Sequence, residues 1–114
     1  MKSFVLMTLI ALGCLMVGTM LLAADTGGEA TFQSLKCYIC HKPDRRSAGP
    51  SLPEIAKAYG GQQQQLAQYL KGESEPLLDF GNQHLMQGKL EKTKEISDGD
   101  RRDLADYILS FGGK

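Results

Sequence analysis

The chain reads as an all-α domain, and three observations carry that reading. Apolar residues recur at three- and four-residue spacing in several short segments. Those segments open on serine caps such as Ser51 and Ser97 and close on glycines. Nothing alternates at period two for long enough to make a strand. Four to five short helices with long connections are expected.

The first two dozen residues are expected to lie outside this domain. Lys2 supplies a positive start, residues 4–24 carry no charge, and the small residues Ala23 and Ala24 precede Asp25. That is the layout of a secretory signal cleaved near Ala23 or Ala24, which would deliver the protein to the periplasm. The apolar run nearly reaches the roughly 20 residues that span a bilayer. A retained N-terminal anchor is therefore the alternative, and membrane attachment would follow only in that case. A lipid anchor on Cys14 fits less well, because mainly apolar residues continue after it. The domain itself then occupies residues 25–114, keeps two cysteines (Cys37 and Cys40), and has Met86 as its sole methionine. The whole chain balances 13 basic against 13 acidic residues, and only Lys2 leaves with the signal. That balance argues against a nucleic-acid binder.

Along the domain, Ala30, Phe32 and Leu35 give an apolar side to a helix over residues 29–36, expected to run into "CYICH" at residues 37–41. Residues 42–50, "KPDRRSAGP", read as loop. Ser51 and Glu54 stand at capping-box spacing and open a helix that stops at Gly60-Gly61. Leu66, Tyr69 and Leu70 make one face of the next helix, with the glutamine run as its solvated face and Gly72 as its end. Over residues 73–96 the pattern weakens, and Gly81 and Gly88 point to a partly looped stretch. The last helix is the clearest: Ser97 with Asp100 starts it, Leu104, Tyr107, Ile108 and Phe111 follow at helical spacing, and Gly112-Gly113 ends it. No repeat or interdomain linker interrupts the chain. A domain this small, with no Trp and with 13 Gly in the whole chain, is of the kind often helped by a staple, metal or cofactor at its centre.

The stretch "CYICH" suggests what that is. A redox dithiol would sit at a strand-to-helix junction, and no strand pattern is present. Zinc would need Cys37, Cys40, His41 and His84 together, yet Cys40 and His41 are adjacent and would point roughly 100° apart on a helix. Covalent haem uses every part: two thiols form thioethers on one edge of the porphyrin, and the following histidine ligates the iron. The sixth iron position then decides function, because an open site binds small molecules whereas a second strong ligand suits electron transfer. Met86 is the candidate, in what reads as a loop. His84 is its competitor, and a gap-filling core methionine is the plain alternative.

Four segments together resemble small class I monohaem cytochromes c of bacteria: "GEATFQSLKCYICH", "GPSLPEIAKAYGG", the lone Met86, and "ISDGDRRDLADYILSF". The resemblance covers nearly all of residues 25–114. It implies the class I cytochrome c fold, in which the terminal helices cross, here with Phe32 against Leu104 or Tyr107. It implies one haem c bound covalently through Cys37 and Cys40, with His41 and Met86 on the iron. The carbonyl of Pro50 would orient the His41 ring, and Leu52 would pack on the haem. Residues 73–96 resemble the helical insert that shields the distal side in some members. The implied function is single-electron transfer without bond chemistry, by a monomer. Its partners would be redox proteins such as a cytochrome reductase complex, a terminal oxidase or another periplasmic reductase. The alternative is a haem sensor or small haem enzyme with an open or displaceable sixth ligand. A third class, a thiol oxidoreductase, would keep Cys37 and Cys40 unmodified or disulfide-linked.

Charge placement adds an expectation about docking. Lys36, Lys42, Arg45 and Arg46 stand against only Asp44 near the motif, and Lys89, Lys92 and Lys94 against Glu91 and Glu95 near Met86. The terminal helix is acidic through Asp98, Asp100, Asp103 and Asp106, against Arg101 and Arg102. A positive haem side and a negative back would favour an acidic partner surface. Ordinary solvated charge is the competing reading.

Overall fold

A computed structural model of the protein describes residues 26–78 and 81–113. The expected export segment, residues 1–24, lies outside the described residues. Among those described, every regular element is helical, and no helix is long and apolar enough to cross a membrane. Five α-helices follow in order: α1 (Thr26–Ser34), α2 (Leu52–Tyr59), α3 (Gln63–Leu70), α4 (Gln83–Thr93) and α5 (Asp98–Leu109).

The frame is the crossing of α1 over α5. A Cβ on Gly28 would lie 2.1 Å from the carbonyl oxygen of Asp103, so the two backbones touch where only glycine fits. One turn on, Phe32 is buried and meets Tyr107 edge-on, with ring centroids 5.2 Å apart. Tyr107 in turn meets Phe111 at 5.3 Å. Leu104, Ala105 and Ile108 fill the interior side of α5. The helix ends at Ser110 rather than at the glycines, and its last turn tightens into a 3₁₀ segment, Ser110–Gly113.

α1 does not run into the cysteine motif as expected. It stops at Ser34, and Lys36 takes a left-handed conformation, φ 58° and ψ 33°, which L-residues adopt at a cost of about 1 kcal/mol. The chain is thereby re-aimed into a separate 3₁₀ turn, Cys37–Ile39. α2 begins as expected: the Ser51 hydroxyl accepts from the Glu54 N–H while the Glu54 carboxylate accepts from the Ser51 N–H. Glu54 also pairs with Arg46, which ties the preceding loop to the helix. Gly60 and Gly61, both at positive φ, end it. α3 buries Leu66, Tyr69 and Leu70 and packs on α5.

The main departure is α4. Where Gly81 and Gly88 suggested a partly looped stretch, residues 83–93 form a three-turn helix, in line with the helical insert that the resemblance implied. Met86, Leu90 and Thr93 recur at i, i+4 and i+7 on its inner face; the latter two are buried. Gly88 lies on the outer face, where nothing approaches within 4 Å of an added Cβ. A glycine in a helix interior costs about 1 kcal/mol against alanine, a cost that the packing of Leu90 and Thr93 overcomes.

Two glycine-to-alanine substitutions should therefore act in opposite directions. Gly28→Ala forces α1 off α5 and should destabilise by roughly 1–3 kcal/mol, read as a lowered denaturant midpoint. Gly88→Ala should stabilise by about 0.5–1 kcal/mol. A destabilised Gly88→Ala would mean that the segment is not helical in solution.

Candidate haem site

The 3₁₀ turn places both motif cysteines on the wall of one large cavity, bounded by α1, α2, α3, α4 and α5. Its empty volume is about 1010 Å³, a figure that includes the part open to solvent. Cys37 and Cys40 are both half-buried and are not joined to each other. Burial pushes the Cys37 thiol up to about 11, with the nearby Lys89 charge pulling it the other way. Such a thiol stays protonated at neutral pH, the opposite of the lowered thiol that disulfide exchange requires.

His41 lies on the same wall, with its ring fixed. Nδ1 is 2.8 Å from the carbonyl oxygen of Pro50. A carbonyl can only accept, so Nδ1 carries the proton and Nε2 is left with its lone pair. Burial lowers the His41 pKa, and the Pro50 hydrogen bond opposes that shift without overcoming it. The imidazole is therefore neutral, the form that ligates a metal. The loop that brings Pro50 here is closed by the Gly49 N–H on the Cys40 carbonyl and the Leu52 N–H on the Lys42 carbonyl, at 3.0 and 2.8 Å. Gly49 is required for the approach, since a Cβ there would sit 2.7 Å from the His41 ring. Its role had no signal in the sequence beyond its place before Pro50.

To the same cavity α4 contributes Met86, half-buried on the wall. Residues two apart on a helix point about 200° apart, so an inward Met86 sends His84 outward. His84 is exposed and does not line the cavity. The helix thus separates two candidates that a loop would have left equivalent. The zinc set fails for the same reason: among the described residues, no three or more His, Cys, Asp or Glu side chains could hold one ion.

Pro50 lines the cavity, whereas Leu52 does not. Leu52 is fully buried in the core behind the wall, and Ile55, one turn along α2, faces the cavity instead. The reading of the sequence also missed much of the lining. Tyr59 and Tyr69 face it, with burial raising both phenols, Tyr69 to about 12. Leu66 and Leu70 join them from α3, a face whose periodicity was legible but whose neighbour was not. At the rim, Asn82 donates to the Ala48 carbonyl at 3.0 Å, and Lys89 to the Leu35 carbonyl at 2.9 Å.

The charge pattern is weaker in space than along the chain. Arg46 pairs with Glu54 and Arg45 with Asp44, and Lys94 pairs with Glu91. Arg101, counted as a surface charge, is only 3% exposed.

An apolar cavity with a Cys-x-x-Cys-His turn on its wall, a neutral imidazole with Nε2 available and a thioether in the same cavity fit a haem covalently held by thioethers. Comparison with curated proteins finds no match. The family model for cytochrome c matches residues 26–112, which is most of the chain and all five helices. Covalently bound haem c with iron and haem-based electron transfer, with redox proteins as partners, come with that match. The chain belongs to the cytochrome c family.

Proposed function

We propose that this protein is a bacterial class I monohaem electron carrier, exported to the periplasm, with His41 and Met86 as the axial ligands of one haem c. The observation that carries the reading is the shared cavity: the motif cysteines, His41 and Met86 all line it, whereas His84 is turned to solvent. The charge-free run over residues 4–24, ending in Ala23-Ala24, supports export.

Each residue has a distinct role. Cys37 and Cys40 hold the group by thioethers, so it stays in place in both oxidation states. His41 donates from Nε2 with its ring held by Pro50, which removes a rotation that would otherwise have to be frozen. The Met86 sulfur is a neutral, soft donor that favours ferrous iron. Ile55, Leu66, Leu70 and Ile108 exclude water and disfavour the extra charge of the ferric state. Haem c, when bound, supplies the one-electron ferrous/ferric couple. With both ligands supplied by the chain, no bond need form or break as the electron passes. Donor and acceptor would be a cytochrome reductase complex and a terminal oxidase or another periplasmic reductase.

The test uses the visible spectrum of protein matured in a host that attaches haem. The colour should survive acid-acetone extraction. Met86→Ala should abolish the far-red ferric band of a thioether–iron bond and let the reduced protein bind carbon monoxide. His84→Ala should change neither. Rapid carbon monoxide binding by the unmodified protein would overturn the carrier reading and favour the sensor or enzyme alternative.

Met86→His should lower the reduction potential by on the order of 100 mV, since axial ligands move haem potentials over about 0.8 V. Equilibrium redox titration reads this directly. An unchanged potential would mean that residue 86 does not reach the iron.

A further inference from the structure

Arg101 is the most buried charge among the described residues, at 3% exposure, and it sits on α5 rather than on the cavity wall. Four of the five N–H donors of its guanidinium are engaged. Nε donates to the Thr93 carbonyl at 3.0 Å, Nη2 to the Lys94 and Ile96 carbonyls at 3.0 and 2.6 Å, and Nη1 to the Asp98 carboxylate at 2.6 Å. Three of these acceptors are the backbone carbonyls at and just beyond the end of α4, where a helix leaves carbonyls without intrahelical partners. The positive charge there also suits the negative end of the helix dipole. At the same end, the Thr93 hydroxyl donates to the Leu70 carbonyl at 2.5 Å. The C-terminus of α4 is thereby fastened to both α3 and α5.

Met86 lies two turns upstream of Thr93, and both line the cavity. A helix is stiff over two turns, so where its end is held decides where Met86 can go. We infer that Arg101 is a positioning residue for the Met86 sulfur, holding α4 at the depth where that sulfur ligates iron. The inference rests on the Met86 ligation proposed above. Asp98 completes the arrangement from outside: it is exposed, and the Arg101 guanidinium beside it holds its carboxyl below the usual carboxylate range.

The probe is imidazole, titrated into the ferric holoprotein and followed at the main haem band, because it must displace the methionine to bind. Arg101→Gln leaves the end carbonyls of α4 unpaired and should tighten imidazole binding about tenfold by loosening the native ligand. Arg101→Lys keeps the charge but cannot reach three carbonyls at once, so it should fall between. It also decides the matter if the glutamine variant fails to take up haem. Ala56→Gly, a buried change on α2 outside the cavity wall, controls for general destabilisation. It should lower the unfolding midpoint yet leave imidazole affinity within about twofold of the parent.

Arg101 variants that bind imidazole like the parent, or an Ala56→Gly shift as large as theirs, would overturn the positioning role while leaving Met86 ligation intact. Retention of the far-red ferric band in Met86→Ala would overturn the ligation itself, and this inference with it.

Discussion

The close contact between Gly28 and the Asp103 carbonyl is the constraint from which the site hangs. It sets how deeply α1 and α5 cross, and each helix then carries one side of the site. α1 leads, through the left-handed turn at Lys36, directly into Cys37, Cys40 and His41. α5 carries Arg101, which holds the end of α4 and so the helix that bears Met86. A shift at the crossing would move the motif turn relative to α4. The Phe32–Tyr107 edge contact resists that shift, because an edge-to-face pair tolerates little sliding.

Arg101 illustrates why a buried charge can be tolerated here. Desolvating an ion costs several kcal/mol even after the protein relaxes. That cost is offset only when the donors find partners, and here each of Nε, Nη1 and Nη2 makes at least one hydrogen bond. Replacing the pair by apolar groups would leave the last carbonyls of α4 buried and unpaired, which costs roughly 1–3 kcal/mol for each group. The ion is thus tied to geometry more than to net stability. A hydrophobic residue at the same place would fill the space but would not set the height of α4.

What was legible in the sequence followed from local chemistry. The capping box at Ser51 and Glu54 and the Ser97 cap are decided within four residues, and both helices begin where the pattern placed them. The terminal crossing and its Phe32–Tyr107 contact came from the resemblance and hold in the structure. The failures are non-local. Gly88 looked like a breaker because propensity is counted per residue, while its cost is overcome by Leu90 and Thr93 packing against elements far away in sequence. Reading that stretch as partly looped also hid the argument separating Met86 from His84, which exists only on a helix. Arg101 was counted as surface charge because three of its four partners are backbone carbonyls, which no residue letter reveals. Leu52 and Ile55 are both apolar and one turn apart, and only the docking of α2 shows which one faces the cavity.

The ties around the cavity share one property that bears on electron transfer. His41 is held by the Pro50 carbonyl, Asn82 by that of Ala48, Lys89 by that of Leu35, and Thr93 by that of Leu70. Behind the wall, Arg101 binds three more carbonyls, with the exposed Asp98 as its one carboxylate partner. A carbonyl acceptor has no rotamers to sample and does not titrate between neutral and mildly acidic pH, unlike a carboxylate. Side chains held this way keep their positions when the charge nearby changes by one unit. A carrier whose ligands must stay put in both oxidation states is best served by such acceptors, since a carboxylate would respond to that charge and add to the reorganisation. The neutrality of these acceptors would therefore serve the proposed site as much as the ligands themselves.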